Sequence, residues 1–257
     1  MKSTILSEKD SKLIEKSILK YGRILNVRDL MSLFQEEYSK ASAHNRINLL
    51  SRAGWLRRLK QGLYLIIDSL TARSQIDVSL LSIANALAEG SYVSLSHALN
   101  YYQLFDQYST AVVSINVTSS KKYLFDGYTF RYIKVKKDMY FGFTEKIING
   151  KKVRLAEVEK ALIDYLYLDK SFGGASLVFE KLRDDNRELD LKKLQEYASR
   201  CGLAVARKMG FMLDHLNLAS TLLHRVVKNN RSTSRFTADS RIFNAKWRLY
   251  YDDRITG

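Results

Sequence analysis

Residues 51–66, SRAGWLRRLKQGLYLI, decide how the first part of the chain folds. The segment follows a helical pattern, places Arg57, Arg58 and Lys60 close to Trp55, and turns apolar after a Gln-Gly pair. Two alternating stretches joined at a glycine predict a β-hairpin. Its basic residues have two explanations. They keep the hairpin edge from pairing with other strands, or they form the wing of a DNA-binding winged helix.

The composition of the whole chain favours an anionic partner. The 257 residues carry a formal net charge of +15, and 46% of them are hydrophobic, which is enough for the cores of two modest domains or of one large one. Such a charge attracts polyanions, with nucleic acid as the first candidate and an anionic membrane as the second. No apolar run of the length that spans a membrane occurs, and the first residues lack the apolar core of a signal peptide. We therefore expect a cytoplasmic protein.

Metal and enzyme signatures are missing from the sequence. One cysteine, Cys201, and four scattered histidines predict neither a disulfide nor a metal site. The motifs of phosphate-binding loops, zinc proteases and serine hydrolases do not occur. We therefore expect no metal, no cofactor and no enzymatic activity.

The positive charge is concentrated at the two ends of the chain. Residues 1–66 hold 13 lysines and arginines against 6 acidic residues, a net charge of +7. Residues 67–218 hold 21 against 18, a net charge of +3, and the remaining 39 residues hold 8 against 3, a net charge of +5. A polyanion is therefore expected to meet the ends rather than the middle.

Three helices are predicted before the hairpin. Ser7 is typical of a helix N-cap, and Gly22 ends the first apolar stripe. Asn26 and Asp29 repeat the start signal for a second helix, after a short extended stretch. A third helix is predicted to open at Ser42. Three helices followed by a hairpin is the order of a winged helix-turn-helix.

The third helix has two chemically different faces. Ala43, Ile47 and Leu50 recur at helical spacing and face inward, which leaves polar side chains outside. In helix-turn-helix proteins such a helix enters the major groove, where asparagine and arginine pair with base edges while flanking cations hold phosphates. The residues predicted to contact DNA are Lys40, Ser42, His44, Asn45, Arg46, Asn48 and Arg52 of this helix, and Arg57, Arg58 and Lys60 of the hairpin.

The rest of the chain predicts a larger mixed α/β domain. Two helices are followed by a cluster of β-rich segments bounded by Asp, Gly and Lys-Lys turns, and then helices return. Strands that cluster instead of alternating with helices indicate the α+β class. We expect a winged-helix domain over residues 1–68 and an α+β domain over residues 69–257.

Several blocks of the sequence resemble a known family. They are the wing end at Gly62, Leu63 and Tyr64, the segment SYVSLSHAL at residues 91–99, and EKALIDYLY at residues 159–167. Their order and spacing resemble those of the AbiEi-like antitoxins of abortive-infection toxin-antitoxin operons, along nearly the whole chain.

The resemblance implies a function that the composition alone does not. It implies a cytoplasmic antitoxin that binds double-stranded DNA at repeats upstream of its own operon and represses transcription through its winged helix. It also implies that the larger domain counteracts a nucleotidyltransferase toxin, in phage defence, without forming a stable complex with it.

Some alternatives stay open at this point. His97 is expected to be packed in a helix, and Lys160 and Asp164, four residues apart, are expected to pair on a helix or to belong to the antitoxin surface. The basic tail after residue 218 is either a linker and a strand that closes the sheet, or a second nucleic-acid contact through Arg231, Arg235 and Arg241 beside Phe236. The alternative function is an RNA-directed enzyme or accessory factor anchored by a winged helix.

Overall fold

The computed structural model describes residues 6–68, 78–185 and 187–255, and its architecture is of the α+β class, as predicted. The helices are α1 Glu8–Tyr21, α2 Val27–Phe34, α3 Lys40–Arg52, α4 Leu80–Leu87, α5 Leu95–Tyr101, α6 Val158–Leu168, α7 Phe172–Asp184, α8 Leu191–Arg200, α9 Leu203–His215 and α10 Thr221–Val227. The strands are β1 Ile24–Asn26, β2 Leu56–Lys60, β3 Leu63–Ile66, β4 Tyr92–Val93, β5 Ala111–Asn116, β6 Lys121–Phe125, β7 Tyr128–Lys134, β8 Phe143–Ile148, β9 Lys151–Ala156, β10 Ser234–Arg235, β11 Ile242–Asn244 and β12 Leu249–Tyr251.

The first three helices begin with side-chain caps. Ser7 accepts a hydrogen bond from the backbone N–H of Asp10, and Asn26 caps α2 in the same way, as predicted. The third cap differs from the prediction, because Ser39 and not Ser42 caps α3, and the helix begins at Lys40. Serine suits either position by propensity, so only the backbone geometry distinguishes them.

Residues 6–67, which we call the head, combine α1–α3 with a three-stranded antiparallel sheet in the order β1-β3-β2. The β2–β3 hairpin turns at Gly62, whose φ of 74° favours glycine. The apolar stripes of the helices and hairpin meet in one cluster. Its buried members are Leu13, Ile14, Leu25, Leu30, Leu33, Phe34, Ala43, Ile47, Leu50, Trp55, Leu56 and Ile66.

The remainder of the described chain, which we call the body, is built on a six-stranded mixed sheet in the order β6-β7-β5-β4-β9-β8. The sequence predicted β5, β7, β8 and β9 but neither β4 nor β6. The segment that contains Lys121 and Lys122 was not predicted as a strand, yet these lysines pair with Tyr132 and Arg131 in an antiparallel ladder. Strand β6 lies at the edge of the sheet, where exposed lysines are common. Because pairs of lysines also occur in turns, the sequence alone did not distinguish the two.

The C-terminal segment forms a small sheet of its own, ordered β10-β12-β11. The expectation that the terminal strand closes the larger sheet is therefore wrong. The Trp247 ring instead packs directly on Gly210 of α9, where no side chain larger than hydrogen fits, and its indole N–H donates to Asp214 over 2.8 Å. Burial of this large ring fixes the segment on α9 rather than on the sheet edge.

The two residues predicted as a helical pair lie in the interior of the body. Lys160 and Asp164 are each 1% exposed and form an ion pair, while Ser94 and Tyr92 donate hydrogen bonds to the same carboxylate. Burial raises the pKa of the Asp164 carboxyl, although Lys160 opposes that shift. This burial excludes the alternative that the pair belongs to an exposed antitoxin surface.

The head and body share part of their apolar interior. Ile24, Leu59 and Leu65 of the head belong to the same buried cluster as the core of the body. The predicted boundary at residues 68 and 69 adjoins residues 69–77, which lie outside the described residues, and the division into two domains stays a prediction. Among the described residues, no helix has the length and apolar character needed to cross a membrane.

Candidate nucleic-acid interface

Helix α3 presents a polar face that no other part of the described chain covers. Its inner face packs against α2 and β2 through Ala43, Ile47 and Leu50, all buried. The predicted residues that are exposed on the other side are Lys40, Ser42, His44, Asn45, Asn48 and Arg52. Among the described residues, the side chains of Asn45, Asn48 and Arg52 have no hydrogen-bond or ion-pair partner, so their donors and acceptors are available to a ligand.

Arg46, also predicted to read bases, is held in an ion pair within the head. Its Nε donates to Asp10 over 2.6 Å, a second guanidinium nitrogen contacts the other Asp10 oxygen, and the Asp10 side chain is 1% exposed. Burial alone would raise the pKa of the Asp10 carboxyl, but the hydrogen bonds from Arg46 and Ser7 hold it below its ordinary value. In this structure Arg46 therefore ties α3 to the N-terminus of α1.

The first hairpin arginine contacts the body. Arg57 forms an ion pair with Asp126, and its guanidinium lies 4.7 Å from the centre of the Phe125 ring. Asp126 and Gly127 are the two turn residues between β6 and β7, and both have positive φ, as in a type I′ hairpin turn. This turn aims the carboxylate at β2.

The other two hairpin cations differ from each other. Lys60 donates to the backbone carbonyl of Leu87, at the end of α4, over 2.9 Å. The β2–β3 register shifts between Arg58 and Lys60, as at a β-bulge, which re-aims the second of them. Arg58 alone of the three is exposed, so the geometry departs from the prediction that all three project toward phosphates.

A third link joins the head to the body at β1, the edge strand of the head sheet opposite to β2. Lys151, at the start of β9, donates to the backbone carbonyl of Ile24 over 2.6 Å. The lysine lines two clefts of about 580 and 780 Å³ between head and body, and Ile24 and Ser82 also line both. Burial lowers the pKa of this lysine. The head is thus fixed to the body at Asp126, at Leu87 and at Lys151.

One exposed residue of α3 escaped the sequence prediction. Leu49 is 51% exposed and lies on the same face as Asn45, one turn further along the helix. A leucine at an outward position of an otherwise polar face was the signal that would have identified it.

The tail residues are largely engaged with one another. Phe236 is 2% exposed and packs on Phe211, and Arg235 donates to the Ser240 carbonyl while its guanidinium covers the Tyr250 ring. The three predicted tail arginines, Arg231, Arg235 and Arg241, are all exposed. A buried phenylalanine cannot stack on a base, so the aromatic part of the second nucleic-acid contact is absent here.

His97 is half-buried on α5, as expected. It lines a small cavity of about 150 Å³ with Ser96, Asn100 and Tyr108, and burial lowers its pKa. Its Nδ1 is buried without a hydrogen-bond partner among the described residues. Within residues 6–68, 78–185 and 187–255, no three His, Cys, Asp or Glu side chains are grouped to hold a metal ion.

Comparison with known proteins extends the description of the fold. No model of a known protein family matches the chain, and no curated protein matches it either. Among solved structures, the chain is similar to the crystal structure of protein Rv2827c from Mycobacterium tuberculosis, with a TM-score of 0.66. The likeness covers 98% of this chain and 94% of that chain at 13% sequence identity. At this identity it concerns the fold alone.

Proposed function

We propose that this protein is a cytoplasmic DNA-binding antitoxin that represses transcription of its own operon. The head serves as a winged helix-turn-helix, with α3 in the major groove. The observation that carries the proposal is the outer face of α3, where Asn45, Asn48 and Arg52 are exposed without partners in the described chain. Amide and guanidinium groups are the side chains that pair bidentately with base edges.

The charge of the chain supports DNA over an uncharged partner. Residues 1–66 carry a net charge of +7, and the whole chain carries +15. Neutralising phosphates with lysine and arginine releases counterions, which drives association with duplex DNA and makes it dependent on salt. The antitoxin part of the proposal rests on the resemblance of the three sequence blocks, and the partner toxin is a nucleotidyltransferase-like protein that is opposed without stable contact.

DNA binding is tested with the full-length chain, because Ile24, Leu59 and Leu65 pack into the body and would be exposed in an isolated head. Fluorescence anisotropy with labelled 25-bp duplexes tiled across the DNA upstream of the coding sequence should find a duplex bound at least about 10³-fold more tightly than its scrambled counterpart. The Asn45→Ala/Asn48→Ala variant should lose that preference. Equal affinity of the wild-type chain for native and scrambled duplexes would refute the proposal.

The antitoxin role is tested separately in cells. Expression of a neighbouring nucleotidyltransferase-like gene should arrest growth, and co-expression of this chain should restore it. A tagged chain should not retain the toxin on an affinity resin. Growth that stays arrested with the antitoxin folded and abundant would refute this part and leave the DNA-binding part standing.

A further inference from the structure

The outer face of α3 combines two amides with an apolar side chain. Asn45 and Leu49 lie four residues apart, which places them about 6 Å apart along the helix axis, and Asn48 lies beside them. A single exposed leucine is ordinary on a protein surface. Leu49 is distinguished by its place between side chains that have no partner in the described chain and that face the proposed groove.

These three side chains match the major-groove edge of an A·T pair. Adenine presents an acceptor and a donor, N7 and the N6 amino group, which an asparagine amide pairs with through two hydrogen bonds. Thymine presents a C5-methyl group, which an apolar side chain covers. Base pairs are stacked about 3.4 Å apart, so residues one helical turn apart reach the same or neighbouring pairs.

The two arginines of α3, which would read guanine, are less well placed than the amides. Arg46 has its guanidinium engaged by Asp10. Arg52 is the last residue of α3 and lies about 10 Å along the helix axis from Asn45. In helix-turn-helix proteins the N-terminal part of the recognition helix contacts the bases. The centre of the face is left to amides and a leucine.

We propose that α3 selects A·T base pairs, with Leu49 covering a thymine methyl and Asn45 and Asn48 pairing with adenine. This inference rests on the proposed DNA-binding function and adds the class of base pair that the site reads. Leu49 is then a specificity-determining residue rather than an idle surface side chain.

The test uses the full-length chain and its best-bound 25-bp duplex in two forms, one natural and one with every thymine replaced by uracil, which lacks only the methyl group. Wild type should bind the uracil duplex about four-fold more weakly for each covered methyl, the effect of burying one such group. Leu49→Ala should bind both duplexes equally. Leu19→Ala, which truncates another exposed leucine of the head, is the matched control and should behave as wild type.

A second substitution examines the amides. Replacing adenine by 7-deazaadenine removes the N7 acceptor, and this should weaken the wild-type chain about ten-fold but leave an Asn45→Ala/Asn48→Ala chain unchanged. Equal wild-type affinity for the thymine and uracil duplexes, or uracil sensitivity that persists in Leu49→Ala, would overturn the role of Leu49 while DNA binding stands. Failure of the wild-type chain to bind any duplex would overturn the proposed function and this inference together.

Discussion

Helix α3 and the β2–β3 hairpin carry similar charges but are held in opposite ways. The polar residues of α3 other than Arg46 largely face outward, and within the described chain Asn45, Asn48 and Arg52 have no partners. The hairpin cations Arg57 and Lys60 instead contact the body, at Asp126 and at the Leu87 carbonyl. A residue predicted to contact DNA is therefore either exposed or engaged by another part of the chain, and only the tertiary structure shows which of the two applies.

The comparison divides the ten predicted contact residues by mechanism. Six residues of α3 and Arg58 are exposed, whereas Arg46 is engaged within the head and Arg57 and Lys60 are engaged by the body. Changes on α3 should alter which DNA is bound, whereas changes in the engaged residues should alter how stable the chain is. Five measurements separate these effects.

The largest effect is expected from removing both amides of α3. Asn45→Ala/Asn48→Ala should weaken binding to the cognate duplex by about 2–6 kcal/mol, since each bidentate base contact contributes about 1–3 kcal/mol. Binding to random DNA and the thermal midpoint should change little. Gln35→Ala removes an exposed amide of the head outside α3 and serves as the control in the same anisotropy titrations. Equal losses on cognate and random DNA would assign the asparagines to phosphate contacts.

Arg46→Ala should act on stability first. It leaves the nearly buried Asp10 carboxylate without its partner, and because the arginine is about one-third exposed we expect a loss near 2 kcal/mol rather than the larger cost of a fully buried pair. Urea unfolding measures this loss, and Arg46→Lys should recover part of it.

The same pair predicts a dependence on pH. The pKa of Asp10 is lower in the folded chain than its ordinary value of 3.8, so the stabilisation is complete above that value and is lost as the pH falls through the folded-state pKa. The difference in unfolding free energy between wild type and Arg46→Ala should therefore shrink below about pH 4. A difference that stays constant down to acid unfolding would contradict the role assigned to the pair.

Breaking the link between hairpin and body should have a smaller effect. Arg57→Gln should destabilise the chain by about 1 kcal/mol, because its ion pair with Asp126 is only partly buried. Asp126→Asn should lower the free energy of unfolding by a similar amount. The double variant should lower it by less than the sum of the two single effects, as expected for residues in contact. Neither single change should alter the slope of log affinity against log salt. If the Arg57→Gln chain instead shows a smaller slope of log affinity against log salt, this arginine breaks its ion pair with Asp126 on binding and contacts a phosphate.

Arg58→Gln should have the smallest effect and the most specific signature. The folded chain should keep its stability, because an exposed charge contributes little. Binding should weaken on every duplex, and the salt slope should fall by about one unit, the value for one lost phosphate contact. Comparison with Lys60→Gln in the same titrations provides the contrast, because Lys60 is engaged by the Leu87 carbonyl. An Arg58→Gln chain that self-associates at an unchanged slope would favour the edge-protection explanation.

The local parts of the head were predictable because their signals are local. The caps at Ser7 and Asn26, the stop at Gly22 and the inward stripe of α3 all depend on residues within a few positions of each other. The outward face of α3 follows from the same periodicity. These features required no knowledge of the rest of the chain.

The partners of the charged residues were not predictable, because they lie far apart in sequence. Asp10 is 36 residues from Arg46, and Asp126 is 69 residues from Arg57. The burial of Lys160 with Asp164 is a further case, since four-residue spacing is equally typical of an exposed helical pair. Periodicity indicates which face of an element is polar, but only tertiary structure shows what that face meets.

The packing of Trp247 on Gly210 has a consequence for the order in which the chain becomes structured during synthesis. The apolar cluster of the head is complete once Ile66 has been made, whereas α9 lacks its covering ring until Trp247 follows, 181 residues later. At translation rates of about 5–20 residues per second, this interval lasts about 10–40 s. A nascent chain thus contains every residue of the head's own apolar cluster long before its body is closed. Premature termination between α9 and Trp247 would release chains in which the surface of α9 around Gly210 lacks its covering ring.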